Sequence, residues 1–211
     1  MDEDFSAVCG ITEDELESNF DEGLTEMAEK YNLKRPEVLG RLQKKYDGYH
    51  FASQSPGIYN PFSLLSAMKK CNFKDYWFST GTPSFLINQI RKFHTDITKI
   101  DGSQAEADSF DAPTENMHSI LPLFYQSGYL TIKDYDDRSD LYTLGYPNEE
   151  VKIGLTKLFI PYYVWSDLDT ASSACWRISE ALMADDIDKA LTAAQSYFSS
   201  IPYQEGTLMD A

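Results

Sequence analysis

Helix-start signals followed by apolar residues at helical spacing constrain the fold of this chain more than any other feature of its sequence. Thr12 and Glu15 match a capping box, in which a Thr side chain and a Glu three residues later satisfy the first free backbone N–H groups. Apolar residues then recur at spacings of four, four and three: Leu16, Phe20, Leu24 and Met27. This spacing places them on one side of a helix, so we predict one amphipathic helix over about residues 13–31.

Further helix starts follow the same rules. Pro36 suits a first turn, and Asn60-Pro61 and Thr82-Pro83 each combine a capping residue with a proline at the first helical position. A helix over 117–127 is expected to be kinked or interrupted at Pro122. Three more helices are predicted near 147–164, 171–183 and 185–199.

A short hairpin completes the predicted elements. Residues 129–133 and 141–144 have strand composition and flank a polar tip at 136–140, while 101–116 reads as an exposed polar connection. The expected fold is mainly α with a small β component (α+β). Its parts are a helical region at 1–107, a winged-helix-like helix–hairpin–helix unit at 108–166, and a helical extension with a tail at 167–211.

Composition and charge exclude several classes of protein. No apolar run of the 211 residues approaches the roughly 20 residues of a membrane span, and the acidic N-terminus is unlike a secretory signal. Three widely spaced cysteines (Cys9, Cys71 and Cys175) fit a reduced, cytoplasmic location. The net charge of −16 disfavours phosphate-dominated nucleic-acid binding by the whole chain. Residues 31–100 nevertheless carry 11 basic and 4 acidic groups, a net of +7 between acidic flanks.

Motifs for common chemistries are absent from the sequence. It contains no Gly-x-x-x-x-Gly-Lys-Ser/Thr phosphate loop, no Gly-x-Gly-x-x-Gly, no His-Glu-x-x-His and no Gly-x-Ser-x-Gly. We therefore assign no catalytic, cofactor-binding or metal-binding residue to this chain.

One arrangement imitates a metal-dependent nuclease. Asp140, Glu150 and Lys152 reproduce the order Asp…Glu-x-Lys, in which carboxylates hold magnesium and the lysine assists an attacking water. In such nucleases the Glu and Lys lie on a strand and project to the same side. In this chain they fall in the first turn of a predicted helix, where an acidic group suits the helix dipole. A helix start is therefore the favoured interpretation, and a nuclease is the alternative.

A candidate anion-facing or partner-facing surface lies in the basic middle of the chain. Hydroxyl and backbone N–H groups of Thr80, Gly81 and Thr82 would meet an anion at a helix N-terminus. The alternative is that these residues only form a turn and a cap. The lysines of the same candidate surface are Lys44, Lys45, Lys69 and Lys70.

Several aromatic stretches carry a family resemblance. Tyr-Asp-Gly-Tyr-His-Phe at 46–51, Tyr-Asn-Pro-Phe at 59–62 and Tyr-Trp-Phe-Ser-Thr-Gly-Thr-Pro at 76–83 resemble the predicted AAA-ATPase-like family of Bacteroidetes and related bacteria. Two later stretches, 123–136 and 141–151, fit the same pattern. The resemblance marks these signature residues, expected to be structural: Tyr46, Asp47, Gly48, Tyr49, Asn60, Pro61, Trp77, Gly128, Tyr129, Pro147 and Asn148.

The resemblance implies an architecture for a longer protein. In that family a P-loop ATPase core precedes the region that this chain resembles, and a PD-(D/E)XK nuclease-like domain follows it. Neither catalytic set is present in this sequence, so no catalytic residue carries over, and ATP and Mg²⁺ are implied only for the full-length protein. Residues 1–107 would then correspond to a helical lid.

Two functions follow as expectations. The first is a non-catalytic lid and coupling module whose partners are the missing ATPase core, the nuclease-like domain and a neighbouring subunit or protein. The second is a DNA- or protein-binding module acting alone. DNA is disfavoured because the hairpin tip is acidic, so a DNA surface would have to use the lysines named above together with Arg91 and Lys92.

Overall fold

A computed structural model describes residues 6–53, 55–77, 84–113, 117–163 and 168–201. Within these ranges it contains ten α-helices and one three-stranded sheet, which confirms the mainly α (α+β) fold class. The chain divides into two compact units, residues 1–154 and 155–211, and the boundary falls within one helix. Strand β1 (Ser103–Ala105) lies in the predicted region 1–107, and it pairs with β3 (Leu141–Gly145) of the predicted unit 108–166.

The first unit begins with four helices that share one core. They are α1 (Glu13–Asn19), α2 (Asp21–Tyr31), α3 (Arg35–Tyr46) and α4 (Pro61–Lys70). Fully buried side chains from all four helices meet in this core, and Tyr59 joins them from the loop before α4. The apolar residues with no exposed surface include Leu16, Leu24, Met27, Val38, Leu42, Tyr46 and Leu64.

Local start signals are confirmed where they fall on described residues. Thr12 and Glu15 form the predicted capping box, and the Asn60 side chain accepts a hydrogen bond from the Ser63 backbone N–H at 3.2 Å. The prediction of a single helix over 13–31 is wrong, because the helix is interrupted at Phe20. There the backbone leaves helical geometry (φ −122°), and Phe20 closes α1 by donating its N–H to the Leu16 carbonyl.

The rest of the first unit combines short helices with the sheet. After α5 (Ser84–Lys92) and a 3₁₀ turn at Ile97–Lys99 come β1, α6 (Ala107–Phe110) and α7 (Leu121–Gln126), followed by β2 (Thr131–Asp136) and β3. The sheet order is β1-β3-β2, with antiparallel pairing throughout. The predicted hairpin is therefore confirmed, whereas 101–116 holds a strand and a helix that were not predicted.

Pro122 starts a helix instead of interrupting one. It lies in the first turn of α7, where a backbone N–H has no intrahelical acceptor, so the absence of an N–H on proline costs no hydrogen bond. A second group of aromatic side chains packs between α6, α7 and the sheet, with the Phe110 ring centroid 4.8 Å from that of Tyr125 and 5.4 Å from that of Tyr142.

Three helices complete the part of the chain that the structure describes. Helix α8 (Glu149–Tyr163) begins in the first unit and ends in the second, and α9 (Leu168–Met183) and α10 (Ile187–Ser200) form a helical hairpin within the second. All three were predicted, with bounds that differ by a few residues. No helix among the described residues has both the length and the apolar content required to span a membrane.

Candidate functional site

The signature residues of the first unit converge around the first turn of α8. They arrive from the end of α3, the segment 75–77, the turn after α7 and the loop before α8. We call this assembly the signature cluster. It contains ten of the eleven signature residues (Tyr46, Asp47, Gly48, Tyr49, Asn60, Trp77, Gly128, Tyr129, Pro147 and Asn148) and two residues that were not predicted, Tyr76 and Glu150. The remaining signature residue, Pro61, begins α4.

Glu150 is the centre of the signature cluster. Its side chain is buried (1% exposed), and its Oε1 accepts hydrogen bonds from the backbone N–H groups of Tyr76 and Trp77, the latter at 2.9 Å. A buried carboxylate is tolerated only when such donors replace its hydration. Glu150 therefore ties α8 to a segment 73 and 74 residues earlier in the chain.

Two further contacts join the same elements. Lys45, near the end of α3, pairs with Asp75 at 2.6 Å, and both side chains are largely buried. Its neighbour Lys44 pairs with Glu149 in the first turn of α8 at 2.8 Å, in a more exposed position. We use the name three-way joint for the contacts among α3, the segment 75–77 and α8: Glu150 with Tyr76 and Trp77, Lys45 with Asp75, and Lys44 with Glu149.

Aromatic packing surrounds the three-way joint. The Trp77 and Tyr129 ring centroids are 5.1 Å apart, and those of Tyr46 and Tyr76 are 6.5 Å apart. Burial, reinforced by the nearby charge of Glu150, raises the pKa of Tyr46 and of Tyr49. Both phenols therefore remain neutral at ordinary pH and serve as packing groups.

Two glycines of the signature cluster have positive φ angles, and one of them also allows a close approach of two backbone segments. Gly48 has a φ of +98°, and a Cβ at this position would fall well inside van der Waals contact with the Pro147 carbonyl oxygen. Gly128 ends α7 with a φ of +74°, and its Cβ position would lie 3.5 Å from the Tyr49 ring and 3.8 Å from Trp77. Both residues need a backbone conformation that favours glycine.

A small polar group lies at one edge of the signature cluster. Lys133 is the extra residue of a β-bulge in β2, and its Nζ donates to the Pro147 carbonyl oxygen at 3.1 Å. Desolvation lowers the pKa of Lys133, and the negative charges of Asp101 and Asp47 oppose this shift. Desolvation raises the pKa of Asp47, and this shift is opposed by a hydrogen bond from the Gly48 N–H and by the charges of His50 and Lys133. Two atoms in this group, Asp47 Oδ1 and Asn148 Nδ2, are buried without a hydrogen-bond partner among the described residues.

Asp47→Asn is expected to stabilise the protein at neutral pH and to lose that advantage in acid. Since the folded-state pKa of Asp47 is raised, the stability that it contributes is present below its ordinary pKa of about 3.9 and is lost as the pH rises through the higher folded value. Asparagine does not ionise. The free energy of unfolding measured in urea should therefore exceed that of the wild type, by an amount that grows as the pH rises from about 3.9 through the folded-state pKa of Asp47. Asp137→Asn, at the exposed hairpin tip, is the control and should change little. A gain for Asp47→Asn that is equal at all pH values would contradict this explanation.

The candidate lysines lie on two neighbouring helix ends. Lys44 and Lys45 are ion-paired as described, while Lys69 and Lys70 are exposed at the end of α4. Lys70 lies 4.8 Å from the centroid of the Tyr76 ring. Lys45 and Lys70 thus both contact the segment 75–76. Thr80, Gly81 and Thr82 lie outside the described residues, just beyond the segment that Glu150 holds.

The three residues that imitate a nuclease site each have a different partner. Glu150 is occupied by two backbone amides, Lys152 pairs with Asp101 at 3.2 Å, and Asp140 accepts a hydrogen bond from the Tyr135 hydroxyl at 2.9 Å. Within the described part of the chain, no three His, Cys, Asp or Glu side chains are grouped closely enough to hold a metal ion.

The structural role of Glu150 was missed by sequence reasoning, although a signal for it exists. Buried residues of α8 recur in pairs at Gly154-Leu155 and Leu158-Phe159, and Glu150-Val151 is in phase with them. An acidic residue on the buried side of a helix requires a partner, and this pattern would have singled it out.

Comparison with known proteins gives one distant relative. The chain is 29% identical over 208 residues to a protein from Azotobacter chroococcum mcd 1 titled "Uncharacterized protein in vnfD 5'region". The match covers 96% of this chain and 37% of the relative, so the chain spans little more than a third of the length of that protein. No protein-family model matches the chain, and no solved structure matches it significantly.

Proposed function

We propose that this chain is a non-catalytic lid and coupling module of a longer, cytoplasmic AAA-ATPase-like protein. The observation that carries the proposal is the pair of hydrogen bonds from the Tyr76 and Trp77 backbone N–H groups to the buried Glu150 carboxylate. They link the segment 75–77, which precedes Thr80–Thr82 in the sequence, to α8, the helix that follows the β2–β3 hairpin.

The three-way joint suits the transmission of small movements. A shift of the segment 75–77 acts on α8 through Glu150 and on α3 through the Lys45–Asp75 pair. Buried hydrogen bonds and close packing deform little, so displacement at one element is passed to the others. By contrast, the exposed Lys44–Glu149 pair adds little stability of its own.

The division of chemistry follows from the resemblance. ATP and Mg²⁺ would be bound by an ATPase core, and the effector would be a nuclease-like domain, both outside these 211 residues. The exposed Lys69 and Lys70 would face the nucleotide or a neighbouring subunit. A relative of which this chain matches 37% is consistent with a module inside a longer polypeptide.

The purified chain is expected to show no ATP hydrolysis, because it has neither phosphate loop nor magnesium ligands of the ATPase type. Release of inorganic phosphate should equal that of a buffer blank in the presence of magnesium. Turnover that follows the chain through every purification step would contradict the proposal.

The size of the native polypeptide tests the other half of the proposal. An antibody raised against this chain should detect a band far above 24.0 kDa in an extract of the source organism. A single band at 24.0 kDa would contradict a module within a longer protein and would favour a binding protein that acts alone.

The exposed cations at the end of α4 support a second candidate, a nucleic-acid-binding module. Lys69 and Lys70 are adjacent and exposed, an arrangement compatible with contacts to phosphate. Binding of single- or double-stranded DNA that weakens with salt and is abolished by Lys69→Glu with Lys70→Glu would establish it. Absence of binding at low salt would exclude it.

A further inference from the structure

Cations from three helices converge on the loop that follows α4, residues 71–76. Lys30 of α2 donates a hydrogen bond from its Nζ to the Cys71 carbonyl oxygen at 2.6 Å. The Arg41 guanidinium of α3 lies 5.7 Å from the Phe73 ring centroid. The end of α4 and the loop itself add three lysines, and all five residues are exposed. We call the whole set the basic patch: Lys30, Arg41, Lys69, Lys70 and Lys74.

The charges of the basic patch are not neutralised within the described part of the chain. Lys45 also reaches the loop and pairs with Asp75, whereas none of the five patch cations has a carboxylate oxygen within 4.0 Å among the described residues. Like charges that lie close together repel one another, so this arrangement costs stability. The acidic flanks of the sequence therefore do not balance its basic middle at this loop, and an opposite charge on a partner would do so.

Aromatic rings hold three of the five cations without cancelling their charge. Besides Arg41, these are Lys30, 5.8 Å from the centroid of the Tyr31 ring, and Lys70, 4.8 Å from that of Tyr76. A ring face attracts a cation and leaves its charge available to a ligand. A side chain that already has a fixed position also loses less conformational entropy when a partner binds.

We propose that the basic patch binds an acidic peptide segment of a partner protein. The Asp or Glu side chains of such a segment would supply the carboxylates that the patch cations lack. A second copy of this chain does not fit as the partner, because each copy carries a net charge of −16 and the two would repel each other. The proposal does not depend on the coupling function.

The composition of the basic patch favours carboxylates over the phosphates of nucleic acid. Four of its five cations are lysines, whereas arginine is the residue that recognises phosphate in a bidentate manner. Duplex DNA carries one negative charge per about 1.7 Å of its axis, so a long duplex would also bring many phosphates near the acidic remainder of the chain. A short acidic peptide carries few charges and contacts the patch alone.

Fluorescence anisotropy with a labelled peptide tests the proposal. Six loop residues span at most about 20 Å, so a flexible probe of about twelve residues, with five Glu among Gly and Ser, reaches the whole patch. This probe should bind the complete chain, more weakly as salt rises, and its Gln counterpart should not bind. The double variant Lys69→Glu with Lys74→Glu should weaken binding by about tenfold or more, because two attractions become repulsions.

A second double variant controls for net charge. Arg177→Glu with Lys189→Glu makes the same change in charge at exposed positions of the second unit and should leave binding unchanged. Circular dichroism should show both variants folded, since all four positions are exposed. An equal loss of binding in both variants, or no binding of the Glu peptide by the wild type at low salt, would overturn the proposal.

Three further measurements separate the acidic peptide from other partners. A DNA oligonucleotide with the same number of charges should bind more weakly than the peptide, and tighter binding would overturn the proposal in favour of nucleic acid. Sedimentation should show a monomer, and self-association that the peptide reverses would assign the patch to a second copy instead. The native-length protein should bind the peptide as the chain does, and loss of binding there would assign the patch to a segment of the same polypeptide.

Discussion

Replacing Glu150 with Ala should lower the free energy of unfolding by about 3 kcal/mol, because two buried backbone N–H groups would lose their acceptor and a cavity would remain. For a chain of this length, the melting temperature should fall by about 6–12 °C. Urea and thermal unfolding followed by circular dichroism would measure the change.

The neighbouring glutamate provides a matched control for this prediction. Glu149 has the same charge and lies on the same helical turn, but it is partly exposed and forms an ion pair with the exposed Lys44. Glu149→Ala should change stability by less than about 0.5 kcal/mol. Glu150→Gln retains one acceptor oxygen and should give an intermediate loss. Equal effects at positions 149 and 150 would contradict the role assigned to the buried carboxylate.

Gly48→Ala is expected to destabilise the protein by roughly 3 kcal/mol, since it combines a strained backbone with a steric clash. The φ of +98° disfavours any side chain, and the new Cβ would collide with the Pro147 carbonyl oxygen, a backbone atom that cannot rotate away. The same unfolding measurements apply.

Gly40→Ala is the control, with an effect of the opposite sign. Gly40 lies within α3, and a Cβ there would meet nothing within 4 Å. Alanine is the better helix former, so this variant should be more stable by about 0.5–1 kcal/mol. Two glycines of one short segment would therefore respond in opposite directions. A stabilising Gly48→Ala would show that residues 48 and 147 do not approach each other this closely.

Local signals accounted for much of the fold. The Thr12 capping box and the Asn60 cap act over three residues, so the sequence alone reveals them. The break at Phe20 was not predictable in this way, because the apolar stripe continues through it. Strand β1 escaped prediction since its three polar or small residues become a strand only by pairing with residues 142–144, about 40 positions later.

Most members of the signature cluster were predicted as single residues but not as an assembly, and Tyr76 and Glu150 were not predicted as members. Aromatic and glycine motifs marked its members, while their meeting point depends on contacts such as Glu150 with Tyr76, separated by 74 residues. Only the helical periodicity of α8 separates Glu150, which is in phase with the buried residues, from Glu149, since both suit a helix start. Among the candidate lysines, sequence could not show that Lys44 and Lys45 are ion-paired while Lys69 and Lys70 lie exposed.

Coupling through Glu150 is the central claim, and hydrogen exchange of the native-length protein tests it most directly. Amide exchange in the first turn of α8 and in the β2–β3 hairpin would be compared with and without a non-hydrolysable ATP analogue. The wild type and Glu149→Gln should respond to the nucleotide in these segments, whereas Glu150→Gln, confirmed to be folded, should not. A response in Glu150→Gln equal to that of the wild type, or a wild type without any response, would contradict the account.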